Sequence, residues 1–526
     1  MSSLVVRKCL MRSSQFLKQS LSTATQENFQ EINFENAEKF TKIPQISYWT
    51  MIWKRLKDDN IKYKMDTVVE DLFDKNGPIF RLNVPGMGDR TFIRNPSQAQ
   101  ILMVNDGKYP YEPAFGFTDY YRNVARKDLF PETAGLLGHN GEKWYETRVL
   151  VQQDMLRPKS AMFYLQDIEE ISLEFIDLLS RSINTNQEVD DLLQYINQWA
   201  LESIVAIFLD SRINCLQEDL AEESEAKRFV NAVKVCTGPD AQDLAVGIPY
   251  HKYFPTKTFK RVDEASEVLF HISKKFVDQA VAEFDKDEQN DGEMSVLKKL
   301  INKCGPQSQI PIGKFELILI LYKSLFPVMA QDAIAAGVDT TGTTAAFLML
   351  DLARNQEKQE ILFKEIQEVI GDAVVTEAKL KQMKYLKACL HESQRLNPAV
   401  FGISRTTQID MVLEGYQIPK GSIVVFPFMI SSRDPSQFTD PGQFIPERWL
   451  RGCPQHHSAH PFSSIIFSHG PRMCIGKRFA ELECYILTIK MLQKFRLEYH
   501  HGPVGVSTEF VNKPDQPIKM KFVPRT

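Results

Sequence analysis

A chain of 526 residues, 43% hydrophobic and 25% charged, can bury a large core, and length alone would give about three domains. No Pro/Gly/Ser-rich linker, charge run or internal repeat divides it, so the reading is one large domain. A net charge of −4 gives no footprint for nucleic acid, and eight cysteines without a CxxC pair argue against a disulfide scaffold and fit a reducing compartment.

The first stretch, residues 1–26, carries Arg7, Lys8, Arg12 and Lys18, six serines and no acid before Glu27. The basic residues interrupt every apolar run, which excludes a membrane span and a secretory signal and leaves the composition of an organelle transit peptide. From Phe34 onward the chain reads as mixed, with short strands at Pro78–Val84 and Arg90–Arg94 around the turn Pro85–Gly88. Helical patterns then dominate, among them Tyr164–Ser182 and Val189–Leu209. A long helix is expected from Pro327 to Ala353, with Ser324 as cap and Pro327 in the first turn, and Asp332 and Asp339 keep it from being a membrane span. Helices over Arg354–Ile370, closed by Gly371, and Met383–Leu396, stopped by Pro398, follow. Met411–Glu414, Tyr416–Ile418 and Ser422–Phe426 read as a small sheet. The last helix is expected from Cys474 to Phe495, because Ile475, Phe479, Leu482, Ile486 and Ile489 repeat at gaps of four and three. The sum is a mainly α chain with small β-sheets and one very long central helix.

Three motifs carry chemistry. In Phe467-Ser-His-Gly470-Pro-Arg472-Met-Cys474-Ile-Gly476 a cysteine precedes a helix, where amide N–H groups and the helix dipole favour a thiolate. Gly470 and Gly476 permit close approach of a flat ligand, and Arg472 can pair with an anionic group on it. Glu392-Ser-Gln-Arg395 puts opposite charges on one helix face, and Pro446-Glu447-Arg448-Trp449 follows some fifty residues later. Ala336-Gly337-Val338-Asp339-Thr340-Thr341 sits mid-helix, where small residues let something bulky approach. There Thr340 can bond back to a carbonyl, and a hydroxyl beside a carboxylate can order water and relay protons. His456, His457, His460 and His469 with Cys453 and Cys474 could in principle bind zinc, but no pair has a zinc-finger spacing.

In this order the motifs resemble the cytochrome P-450 family, over roughly Phe34 to the C-terminus. The resemblance implies a single-domain fold of residues 34–526 with the long helix over a haem b. It makes Cys474 the axial iron ligand, with Phe467, Gly470 and Arg472 in the haem loop. Glu392, Arg395 and Arg448 become a structural triad beneath it, and Asp339 and Thr340 assist oxygen activation on the other face. Trp144 and Arg148 fit a WxxxR pattern, and Arg405 the position of another propionate partner, so that Arg148, Arg405 and Arg472 would neutralise two carboxylates. The segment Pro-Glu-Arg-Trp-Leu-Arg and Ala480-Glu-Leu-Glu483 look like the mitochondrial branch and its invertebrate members; Asn355-Gln356 stands where the family often has Asn-Pro, and Trp449 where Phe is common.

The implied activity is insertion of one atom of O2 into an apolar substrate, sterol-like or a lipophilic xenobiotic, with electrons from an adrenodoxin-like ferredoxin and its reductase. The implied location is the matrix side of the mitochondrial inner membrane, in peripheral contact. The donor's docking surface is expected around Lys384, Lys387, Lys477 and Arg478, with a neutral His391 one turn from Lys387. Pocket walls are expected at Tyr109–Leu137, Met329–Ala336 and Ala399–Ser404, with Phe115, Phe117 and Phe401 making them aromatic. A haem-thiolate isomerase or dehydratase, and a haem-binding sensor without enzymatic activity, are the alternatives.

Overall fold

The computed structural model describes residues 33–50, 64–84, 88–113, 116–131, 133–217, 220–246, 250–284, 294–304, 315–453 and 459–525. The segment 1–26, Phe115, His456 and His457 lie outside these residues.

The helices that build the site are α1 (Gly141–Met155), α2 (Leu165–Ser182), α3 (Leu192–Leu209), α4 (Lys257–Phe284), α5 (Phe315–Arg354), α6 (Lys384–Leu396) and α7 (Lys477–Lys494). One continuous apolar core joins α2, α3, α5, α6 and α7. On α7, Phe479, Leu482, Ile486 and Ile489 are all buried, as their helical spacing requires. The helix α5 runs forty residues and starts twelve residues before the expected Pro327. Proline removes one hydrogen bond inside a helix, but Leu325, Phe326, Val328 and Met329 on either side of it are buried, and that packing carries the helix through the gap.

Two glycines of α5 serve helix packing. A Cβ on Gly337 would stand 2.8 Å from Ile204 of α3, and one on Gly342 would collide with Asn197 of the same helix. The bulky object that approaches Gly337 is thus a neighbouring helix, a correction to the expectation that its smallness serves a ligand.

The main sheet has five strands in the order β1 (Gln45–Ser47), β2 (Ile79–Val84), β3 (Gly88–Ile93), β8 (Ile423–Phe426) and β5 (Ile403–Thr406). The strands β2 and β3 pair antiparallel from Ile79↔Ile93 to Val84↔Gly88. The strands β6 (Met411–Leu413) and β7 (Tyr416–Ile418) form only a hairpin, because β8 leaves them to pair with β3 and β5. Val189 begins no helix: β4 (Glu188–Val189) pairs with β12 (Met520–Pro524), which pairs with β9 (Phe495–Glu498). Asp191 then caps α3 by accepting from Leu193 N–H. A last hairpin, β10 (Val506–Ser507) with β11 (Lys513–Pro514), reaches back toward α5.

Candidate active site

The loop before α7 is closed by backbone bonds. Cys474 N–H donates to Phe467 C=O at 2.8 Å, and Met473 N–H to Gly470 C=O at 3.1 Å. The turn places Gly470 at φ +78°, a conformation that side chains rarely adopt, and Ser468 at φ +59°. The helix α7 begins at Lys477, three residues later than expected. Cys474 therefore lies in the entry loop, beside the amides of Gly476 and Lys477.

Cys474 is open to solvent-sized space although protein surrounds it. Burial raises its thiol pKa, and the Gly476 and Lys477 amides with the Arg148 and Lys477 charges only partly offset this. The two amides act in the direction expected from the loop's place before α7, and burial opposes them. A bound metal cation deprotonates a coordinating thiol outright.

Three arginines converge near this cysteine from α1, β5 and the loop, Arg148 and Arg405 buried and Arg472 half-buried. Trp144, itself buried, lies between two of them: the Arg472 guanidinium carbon is 4.4 Å from its ring centroid and that of Arg148 is 5.8 Å away. Arg148 donates to Met473 C=O at 2.8 Å, and Arg472 donates to His139 C=O and Asn140 Oδ1. The Nε atoms of both arginines are buried without a hydrogen-bond partner. Burial lowers Arg148 to about 10 and Arg472 to about 9, and nearby charges only partly compensate. Arg405 has acidic partners of its own. Its fork is already engaged by Asp106 at 2.7 Å and by Glu112, with Ser468 Oγ accepting a further bond at 3.1 Å. Asp106 and Glu112 lie some three hundred residues away in sequence, and no sequence signal links them to Arg405. The uncompensated cations are Arg148 and Arg472.

The triad of Glu392, Arg395 and Arg448 assembles as expected. Glu392 accepts from Arg395 Nε and NH2 at 2.9 and 2.8 Å, from Arg448 Nε at 2.9 Å and from Ile445 N–H at 3.0 Å. Trp449 Nε1 supplies a fifth donor at 2.9 Å, a role phenylalanine cannot fill.

On α5, Ala336 is exposed and Ala333 and Thr340 are half-buried, whereas Gln331, Asp332, Ile334, Val338, Asp339 and Thr341 are buried. Ala335 and Gly337 are half-buried too, so the less enclosed stretch runs from Ala333 to Thr340, and the helix is buried throughout from Thr341 to Ala353. Thr340 Oγ1 donates to Ala336 C=O at 2.6 Å, as its sequence context suggested. Asp339 points elsewhere: Lys513 Nζ of β11 is 2.9 Å from its Oδ2, and Asn197 Nδ2 of α3 donates to Oδ1 at 3.5 Å. Neither Lys513 nor Asn197 was visible as a partner in the sequence.

Of the aromatic residues expected in the pocket walls, Phe117 and Phe401 lie in different apolar clusters. Phe117 packs with Tyr121, Phe130, Phe270 and Val328, whereas Phe401 packs with Val68, Phe73 and Phe80 at the sheet. Among the described residues no three His, Cys, Asp or Glu side chains gather to hold a metal ion.

A cysteine in a tight loop before a helix, two arginines beside it whose Nε atoms are buried without a partner, and a long central helix are features that a haem-thiolate oxidoreductase would need in this mainly helical fold. A family model described as Cytochrome P450 matches residues 42–522. Probable cytochrome P450 12a5, mitochondrial, of Drosophila melanogaster is 31% identical over 511 residues, covering 92% of this chain and 91% of the relative. Probable cytochrome P450 301a1, mitochondrial, of the same fly is 32% identical over 461 residues, 86% of this chain and 80% of the relative. Cytochrome P450 CYP12A2 of Musca domestica is 30% identical over 513 residues, 93% and 92% of the two chains. The chain belongs to the cytochrome P450 family of monooxygenases, and membership implies a haem iron bound by a thiolate. The residues present fit that group, since two orphaned buried arginine Nε atoms call for the carboxylates a haem carries.

Proposed function

We propose that this chain is a mitochondrial monooxygenase that inserts one atom of O2 into an apolar substrate, a sterol or ecdysteroid-like molecule or a lipophilic xenobiotic. Haem b, held through the Cys474 thiolate, would supply the oxygen-activating chemistry. The observation that carries the reading is the pair of buried, unpartnered Nε atoms of Arg148 and Arg472, which stand at the loop that bears Cys474. Arg148 and Arg472 hold the propionates, with Trp144 fixing both guanidinium planes. Thr340 spends its proton on Ala336 C=O and so keeps its lone pairs free to order a water that delivers protons. Asp339, paired with Lys513, is the next group in that path.

The names of the relatives and the basic, serine-rich residues 1–26 support a mitochondrial location. Two helices, Leu192–Leu209 and Ser324–Arg354, are long and apolar enough to cross a membrane, but both are mostly buried in the fold. Tyr250, Tyr253 and Phe254 are exposed beside Lys252 and Lys257, a composition that supports peripheral contact with the matrix side of the inner membrane. Electrons come from an adrenodoxin-like ferredoxin and its reductase, docking at Lys387, Lys477 and Arg478. His391, its pKa lowered by desolvation and by Lys477 and Lys387, adds no charge at matrix pH.

The test is reconstitution of the haem-loaded protein with that ferredoxin pair, after substrate-binding difference spectra have selected a lipophile. Oxygenated product with the pair, and slower reduction of Lys387→Glu at low salt that recovers at high salt, is the expected result. A bound lipophile that is never oxygenated, or a peroxide substrate isomerised without external electrons, would replace this reading with the isomerase one.

A further inference from the structure

The basic side chains on the thiolate side of the molecule do not lie on one helix. Lys387 belongs to α6, and Lys477 and Arg478 open α7; the two helices pack together. Lys477 leans over the Phe467 ring, 5.3 Å from its centroid, so the seam reaches the loop that carries Cys474. Two carboxylates stand near this group: Glu365, held by the Tyr385 and Leu386 amides and acting on Lys387, and Glu481, which alone acts on all three cations. Glu481, one turn along α7, has Lys477 Nζ at 3.8 Å and Arg478 NH1 at 3.6 Å, and it interacts electrostatically with Lys387 across the seam. Its own side chain is only 11% exposed, whereas those of Lys477 and Arg478 are 33% and 47% exposed. The carboxylate sits below, the three cations at the surface.

We propose that Glu481 is a built-in counter-charge that weakens the α6–α7 seam toward an acidic protein partner, so that the partner's carboxylates compete with Glu481 for Lys477 and Arg478. The occupant is an acidic [2Fe–2S] ferredoxin, and the inference rests on the ferredoxin reading above. The physical argument is charge complementarity. Lys477 and Arg478, in the first turn after the cysteine loop, and Lys387 across the seam offer an acidic carrier a short approach to that loop, and Glu481, the anion shared by all three, subtracts from their field. Opposed rim charges of this kind set association rate and salt dependence more than final fit. An electron carrier has to leave after each delivery, and a partly neutralised seam shortens its stay.

The experiment uses the full-length haem-loaded protein and a reduced adrenodoxin-type ferredoxin. Stopped-flow reduction and a binding titration are run at low and high ionic strength. Glu481→Gln keeps the shape and removes the charge, so it should bind more tightly and be reduced faster, roughly two- to fivefold, at low salt. The gain should fade at high salt, and the salt dependence should be steeper than in the parent. Glu481→Asp, which keeps the charge, should stay near the parent. Arg478→Gln supplies a second arm at a half-exposed position and should slow reduction by a similar factor at low salt. Unchanged or slower reduction of Glu481→Gln, with the parent still reduced by ferredoxin and its carbon monoxide difference spectrum intact, overturns the role of Glu481 alone. An unchanged rate for Arg478→Gln likewise removes the seam. A parent that neither binds the ferredoxin nor takes an electron from it at any ionic strength overturns both the inference and the donor reading beneath it.

Discussion

Replacing Glu392 by Gln tests the triad where its energetics are largest. The carboxylate and the Arg395 guanidinium are fully buried, and the Arg448 side chain is 4% exposed. Five N–H donors point at the two oxygens of Glu392, from Arg395, Arg448, Trp449 and Ile445. Glutamine preserves the shape but removes the charge and turns one acceptor into an N–H donor that faces other donors. Two buried guanidinium groups then lose their counter-ion. Arg395 keeps the carbonyls of Ser432, Pro441 and Gln443, and Arg448 keeps those of Thr439 and Asp440. Breaking one partner out of a buried ion pair costs on the order of 3–5 kcal/mol. Trp449→Phe is the internal calibration. It deletes one bond to a charged acceptor that retains four others, so its cost should sit near the low end of about 1.5–3 kcal/mol. Urea titrations of the haem-loaded proteins, followed by far-ultraviolet circular dichroism and by the Soret band, give both numbers. A Glu392→Gln protein within about 1 kcal/mol of the parent, or a Trp449→Phe protein less stable than Glu392→Gln, would refute the reasoning.

Thr340→Ala should keep haem bound but raise the peroxide released per electron consumed, because the oxygen that orders water is gone; an unchanged ratio reduces Thr340 to a packing residue. Arg472→Met should weaken haem retention by roughly tenfold while leaving the haem-free protein no less stable. In the haem-free protein burial opposes the Arg472 charge and lowers its pKa to about 9; loss of haem-free stability would show that the arginine serves the fold instead. Asp351, buried between α5 and α6, accepts from Ser393 Oγ at 2.7 Å and Asn397 Nδ2 at 3.2 Å, and burial raises its pKa to about 7. A carboxyl raised above its unfolded value contributes fully below pH ~4 and loses that contribution as pH climbs to about 7. Asp351→Asn should therefore gain stability on the parent as pH rises from 5 to 8, on the order of 2–4 kcal/mol, and a pH-independent difference would contradict the assignment.

Local signals in the sequence were read correctly where short-range chemistry dictates structure. The Gly470 turn, the i, i+3 pair of Glu392 and Arg395, the back-bond of Thr340 and the apolar face of α7 all follow from neighbours within a few residues. What escaped is set by distant partners. Burial on both sides of Pro327 overrode a start signal, and β8 leaves β6 and β7 to pair with β5 and with β3, whose Arg90 is more than three hundred residues from Ile423. The acidic partners of Arg405, Asp106 and Glu112 from the segment after β3, have no signal in the sequence near it. Gly337 was read as space for a ligand when Ile204 of α3 fills it. Two departures from the family pattern held information that was not used. Trp449 adds a donor to Glu392, and Gln356 Nε2 reaches the carbonyls of Ala353 and Leu497, both at 2.7 Å, tying the end of α5 to β9.

The central claim is that Cys474 provides a thiolate to a haem iron. The absorption spectrum of the reduced, carbon monoxide-bound protein, recorded for the parent and for Cys474→His, tests it most directly. The account predicts a strongly red-shifted Soret band in the parent, reporting thiolate ligation. The variant should lose that shift while Arg148, Arg472 and Trp144 still hold the haem. A parent without the shift, or a Cys474→His protein that retains it, would contradict the account.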